Sequence, residues 1–314
     1  MLEVLLLVVL FFIFLFLPFV PSLIELFLKR DAEPIPINPE RKKEPDYFGK
    51  SFINLLATAL KDLKIQEVER LNPVYLKLKL NKKEWVGFLN DEKLAESTMD
   101  TPVVFTKDTV FLQNHTFRRE LVVFGNAVFK NTCVARSLYV KGDCLIKAPV
   151  RVARWVHVEG TLITRSNTDL GVSVYAREIK IRGWTTFKRA YAQKIDTSNA
   201  PLVDKKNIDK KNNTDRVINL KGNFSITDNI SIDGKEKPVF VDGDIFCDGD
   251  VQIEGDVWIK GNVFSQKSIT LKDGVVIGIE GKIKSVVARG EILIKGPFRI
   301  YGYIHSEKRV EVSP

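Results

Sequence analysis

Asp242, Asp244, Asp248, Asp250 and Asp256 all stand beside glycines within one short stretch of the chain. Carboxylates repeated at tight corners are what a stack of Ca²⁺ sites requires, since that ion gathers about six to eight oxygen ligands. The Gly-Gly-x-Gly-x-Asp nonapeptide that builds such stacks is absent. The simpler reading is that Asp and Asn accept backbone N–H groups at corners. A general base for hydrolysis or acyl transfer would have to be His115, His157 or His305, the three histidines present. His157 lies between aliphatic Val156 and Val158, so strand alternation turns its ring outward. All three read as structural or surface residues. Cys133, Cys144 and Cys247 have no Cys-x-x-Cys or Cys-His zinc spacing and read as small core residues. No P-loop or nucleophile elbow occurs. The residues point to no catalytic group, cofactor, metal or small-molecule substrate.

The elements holding these residues follow from the glycines. Gly243, Gly249, Gly255 and Gly261 fall six residues apart, with alternating aliphatics between them (Val251 and Ile253, Val257 and Ile259). Alternation is a strand's period with one face buried. At three hexads like falls on like: Val239, Val257 and Val275; Val241, Ile259 and Ile277; Ile245 and Val263. The lattice extends upstream through Leu138, Val156 and Val174, through Val122, Val140 and Val158, through Cys144 and Leu162, and through Val134 and Val152. The predicted fold is mainly β: a parallel β-solenoid of about 18 residues per coil, with about ten coils.

The hexads Val241-Asp-Gly-Asp-Ile, Cys247-Asp-Gly-Asp-Val, Ile253-Glu-Gly-Asp-Val and Ile259-Lys-Gly-Asn-Val resemble those of bactofilins, bacterial polymer-forming cytoskeletal proteins. The resemblance is clearest over residues 217–304 and looser over 121–183. It implies a right-handed parallel β-helix, nucleotide-independent assembly, coils meeting end to end through apolar terminal strands, and a scaffold at the membrane. It brings no catalytic residues. Phe298, Ile300, Tyr301, Tyr303 and Ile304 form the last coil, where such contacts would be made, although they equally suit closure of the core. A bactofilin has one compact helix between tails, whereas this chain adds an apolar N-terminus, an α/β segment and an interruption. Left-handed hexapeptide acyltransferases also count in sixes, but there glycine directly follows the aliphatic residue; here Asp, Glu or Lys intervenes almost throughout.

The remaining organisation follows from composition. From Val4 to Ile24 no charge occurs, a run of about 31 Å as a helix against a bilayer core of roughly 30 Å. Residues 1–28 therefore read as a transmembrane helix, with a cleaved signal peptide as the competing reading. Lys29, Arg30, Arg41, Lys42 and Lys43 follow the run and only Glu3 precedes it, which predicts a single-pass cell-membrane protein with a cytoplasmic body. Residues 29–50 read as a Pro-rich charged linker, and 51–100 as a small α/β cap with a helix through Phe52, Leu56 and Leu60 and a strand through Val74 to Leu80. Two β-helix stretches, 101–193 and 216–314, flank a polar insertion over 194–215. One rod that ejects this insertion is preferred to two rods, which would need more ends capped.

The net charge of +9 is carried by residues 101–200, with 16 Lys or Arg against 7 Asp or Glu. Arg136, Lys141, Lys147, Arg151, Arg154, Arg165, Arg177, Lys180 and Arg182 make this stretch a candidate anionic-surface contact, with solvated strand edges as the alternative. Nucleic acid is not expected, because neither a helix-turn-helix pattern nor a basic strand interleaved with aromatics is found. The expected function is a membrane-anchored scaffold that self-associates or recruits proteins. The alternatives are an extracytoplasmic β-helix that binds glycan or cell-wall polymer and, more remotely, a β-helix enzyme.

Overall fold

The computed structural model describes residues 45–61, 74–80, 83–197 and 217–313. All but Pro45 belong to the compact unit Asp46–Pro314. The predicted transmembrane helix, the linker up to residue 44 and most of the predicted insertion lie outside the described residues. Among the described residues no helix is long and apolar enough to cross a membrane.

The chain is mainly β, a solenoid of about 12 turns with a spacing near 18 residues. Each coil has three faces, and successive coils pair in parallel: Leu138 with Val156, Val156 with Val174, Val239 with Val257, Ile245 with Val263. Inward aliphatics therefore sit over one another in a single core that runs through both stretches. The lattice is not uniform. Val122 pairs with Tyr139 and Val134 with Arg151, each one coil of 17 residues away, so Val122 over Val140 and Val134 over Val152 are corrected. Val134 consequently faces out, 39% exposed. The first coil of the second stretch is longer, with Ile218 on Val239, because residues after Gly234 bulge before the strand resumes.

The hexad glycines have a steric cause. A Cβ on Gly261 would lie 2.0 Å from the carbonyl oxygen of Gly243, one coil away, and Gly255 has φ +82, a left-handed conformation that glycine adopts freely.

The two stretches form one hydrogen-bonded stack, as the single-rod reading expects, but they run in opposite directions. The last coil of the first, strand Thr185–Asp196, pairs antiparallel with the last coil of the second, strand Phe298–Ser313: Tyr191 with Tyr303, Ala190 with Ile304, Ile195 with Ile300. Of the two readings of Phe298, Ile300, Tyr301, Tyr303 and Ile304, a free end and closure of the core, the pairing excludes the first, and Phe298, Ile300 and Ile304 join the core. Phe298, Ile300 and Ile304 are at most 1% exposed, and their strand is already paired at the middle of the stack. Pairing continues through Asp196, so residues 194–196 belong to the solenoid and not to the insertion. Asp196, 2% exposed, meets Arg182 at 3.1 Å and Lys194 at 2.9 Å, with Arg299 of the other half at 4.0 Å.

The N-terminal end of the stack is covered. Val74–Lys79 and Lys83–Leu89 form a hairpin, and its second strand lies parallel on Val103–Phe105. The helix Tyr47–Ala59 packs its apolar side on the first face, where Leu56 joins Val104, Val122 and Tyr139 in a second cluster. Gly49 permits that approach, since a Cβ there would meet the His157 ring at 2.3 Å.

Ile259, fully buried between Val241 and Ile277, tests the stacking. Ile259→Ala is expected to cost about 2–5 kcal/mol in denaturant unfolding. Ser231→Ala, on an exposed outward position, should change stability by less than about 0.5 kcal/mol.

Candidate functional site

Three of the aspartates beside the glycines, Asp242, Asp244 and Asp250, spend oxygens on the neighbouring coil, Asp242 on Lys260 Nζ at 2.9 Å. Asp244 Oδ1 accepts the backbone N–H of Asn262 at 2.6 Å, Asp250 Oδ1 that of Ser268 at 2.9 Å, and Asn229 Oδ1 that of Asp250 at 2.8 Å. The first stretch repeats the device: Asp108, Asn126 and Asp143 each accept from the next coil, at 2.7, 2.8 and 2.7 Å. These bonds hold Asp108 below the usual carboxylate range, the Asn126 backbone N–H contributing most. Asp244, Asp250, Asn229, Asp108, Asn126 and Asp143 are coil-to-coil ties, the role that a position beside a corner predicts.

The histidines take three different places. His115 is buried with Glu92: its Nε2 lies 2.7 Å from Glu92 Oε1, which also accepts from Leu112 N and Gln113 N, while Nδ1 faces Glu96 O at 3.1 Å. This clasp fastens the turn Glu92–Leu94 to the solenoid. His157 does point out of the solenoid, yet it is 3% exposed because the helix Tyr47–Ala59 covers it. It stacks between Tyr139 and Tyr175 at 5.2 and 4.7 Å, and its Nδ1 has no partner among the described residues. His305 stacks on Tyr303 beside the junction. The three cysteines are buried, and burial pushes the Cys133 thiol up to about 12 and raises that of Cys144 as well.

A shallow groove on the second stretch is lined by Phe246, Phe264, Arg289 and Glu307, with the two phenyl rings stacked at 5.0 Å. Its hydroxyl and thiol are engaged: Ser265 Oγ donates to Gly249 O at 2.7 Å and Cys247 Sγ to Asp228 O at 2.9 Å.

The nine cationic candidates are not gathered on one face. Arg136 and Arg154 lie at one corner of the coils, Lys141 and Arg177 at another, and Lys147, Arg165 and Arg182 at the third, while Arg151 and Lys180 stand on faces. Four have carboxylate partners: Arg136 with Glu120, Arg151 with Asp169, Lys180 with Glu178 and Arg182 with Asp196. Sequence reasoning overlooked the residues beside the third corner. Val110, Val128, Leu145 and Ile163 form an outward column, each at least partly open to solvent. Their spacing of 18, 17 and 18 residues was a usable signal, masked because aliphatics on a strand read as core.

The two ends of the stack differ. In the first stretch the hairpin extends one face, and Thr98–Met99 and Thr109–Phe111 pair on one side only yet keep Met99 and Phe111 buried, whereas Ile218–Lys221 and Phe224–Ile226, also paired on one side only, leave their apolar side chains partly exposed, among the described residues. Ile218 is 42% exposed, and Leu220, Phe224, Ile226 and Ile230 are only partly buried against the core.

No protein-family model, curated protein or solved structure matches the chain.

His157 gives a pH test. Burial holds it below the usual imidazole range, with Asp46 and Glu159 pulling upward and Lys50 downward. A depressed value means that the folded state disfavours the proton. Its contribution is present above about pH 6.5 and lost as pH falls through the lower folded value. Helix docking is therefore expected to loosen on acidification, read by Trp155 fluorescence, since Phe52 lies 6.1 Å from that ring. His157→Phe should flatten the profile, and an acid-insensitive native protein would contradict the assignment.

Proposed function

We propose that the chain is a membrane-anchored structural scaffold of bactofilin type, which self-assembles or recruits proteins at the cytoplasmic face of the cell membrane. Its right-handed winding is the sense that parallel crossovers adopt almost always. The anchor is the charge-free run Val4–Ile24, and the sidedness follows from the cations after it.

One observation carries self-assembly: among the described residues, the coil Ile218–Ile232 has an unpaired strand edge and half-buried aliphatics. An open strand edge is a template for further pairing. The second copy suits it for two reasons. The chain already joins two coil ends antiparallel at Thr185–Asp196, so the same geometry serves two identical ends about a two-fold axis. The coil also carries only Lys221 and Asp228 as charges, so two copies meet without net repulsion.

Light scattering of the full chain in detergent tests this. The native protein should associate with rising concentration, and Ile218→Lys and Ile226→Asp should each weaken association at least about tenfold, a loss of about 1.4 kcal/mol. Native monomers at high concentration, in low and high salt alike, would overturn the reading. A reporter fused after Pro314 tests sidedness independently: cytoplasmic activity is expected, and periplasmic activity would favour the glycan-binding alternative.

A further inference from the structure

At the third corner of the first stretch, two columns run side by side along the solenoid. One is the aliphatic column Val110, Val128, Leu145 and Ile163, set in register by strand pairing. The other is formed by the residue that leaves each of these strands: Leu112, Lys130, Lys147 and Arg165. Its order is fixed by backbone bonds from Lys130 N to Phe111 O, Lys147 N to Phe129 O and Arg165 N to Ile146 O, at 2.9, 2.8 and 2.8 Å. Coils in such a stack lie roughly 4.8 Å apart, so the cations form a straight row. Lys130, Lys147 and Arg165 are exposed and make no ion pair among the described residues. The row opens on Leu112, 52% exposed, beside Val110, 41% exposed.

Neither column is accounted for by folding alone. Like charges at this spacing repel, and the carboxylates nearby are engaged: Asp169 with Arg151, and Asp108 and Asp143 in the opposite corner's ties. The aliphatics, in turn, stay wet on a face that no described element covers. A nucleic-acid strand would satisfy the cations and leave the aliphatics in water. A bilayer interface satisfies both, since phosphates meet the cations while short apolar side chains and the stems of Lys and Arg enter the boundary below the headgroups.

We propose that this edge of the first stretch lies on an anionic lipid surface, with Leu112, Val128, Leu145, Lys130, Lys147 and Arg165 as its contacts. The proposal deepens the scaffold reading by naming a second membrane contact, and it does not depend on self-association.

The test uses the full chain with Leu145→Cys carrying an environment-sensitive fluorophore; the three native thiols are buried. Vesicles contain nitroxide-labelled lipid in either phosphatidylcholine alone or phosphatidylcholine with phosphatidylglycerol, and flotation records whether the chain binds at all. Each cation near the headgroups contributes roughly fivefold in partitioning, so K130E/K147E/R165E should weaken edge contact on the order of 100-fold. The expected result is quenching at position 145 that requires phosphatidylglycerol, falls with added salt and is lost in the triple variant. A label at Phe246→Cys should stay unquenched throughout. Flotation without quenching at 145 overturns the edge and leaves the anchor standing. Equal quenching in neutral and anionic vesicles, or at 145 and 246 alike, also overturns it. No flotation with any vesicle overturns both readings. A fluorophore response to soluble polyglutamate, with none to vesicles, reassigns the edge to an acidic protein.

Discussion

In this solenoid every strand finds its hydrogen-bond partners on the coils above and below, and nowhere else. The interior of the stack satisfies that constraint by repetition, but each terminus leaves a row of unpaired N–H and C=O groups. Two stretches would ordinarily carry four such termini. Running them in opposite directions and joining their last coils removes two at once, and the hairpin strand Lys83–Leu89 pairs with one face of a third. Among the described residues, the coil at Ile218 is the terminus that leaves its apolar side chains partly exposed.

The junction differs chemically from the ladder around it. Elsewhere parallel strands align equivalent positions, so aliphatic lies over aliphatic and Asn or Asp ties corner to corner. At Thr185–Asp196 the neighbour runs the other way, and corner residues cannot repeat. A buried carboxylate surrounded by Lys194, Arg182 and Arg299 takes their place. Desolvating such a group costs several kcal/mol, offset only by good geometry and pairing, and it tolerates fewer alternative registers than an aliphatic contact does. An antiparallel seam between two interchangeable-looking stacks is where a unique register most needs to be specified.

The repeat was legible because a coil is a local event. Glycine at a corner, Asp after it and aliphatics on alternate positions are all fixed within one hexad, and stacking multiplies that signal. What could not be read was polarity. Phe298, Ile300 and Ile304 carry the same inward pattern whether their coil ends the molecule or abuts another, so the antiparallel partner 100 or so residues upstream left no trace in periodicity. The His115–Glu92 clasp failed for the same reason, as a single pair between a turn and a strand has no period. Val134 was misplaced because one coil lost a residue, and a shift of one turns a strand position inside out. Basic residues were visible as composition, but their division among three corners depended on those one-residue shifts.

These features also bear on how one chain could make two kinds of contact without conflict. The excess positive charge belongs to the first stretch, and its uncompensated row runs along a corner parallel to the solenoid axis. The open coil belongs to the second stretch and faces along that axis, with little charge of its own. A contact along a side and a contact at an end use different backbone groups and different side chains. Occupying the first therefore leaves the second free, and holding the axis parallel to a surface would restrict the encounter of two ends to that plane. Loss of orientational freedom before association reduces what association itself must cost, so lateral docking would favour end contact with no change in the end itself.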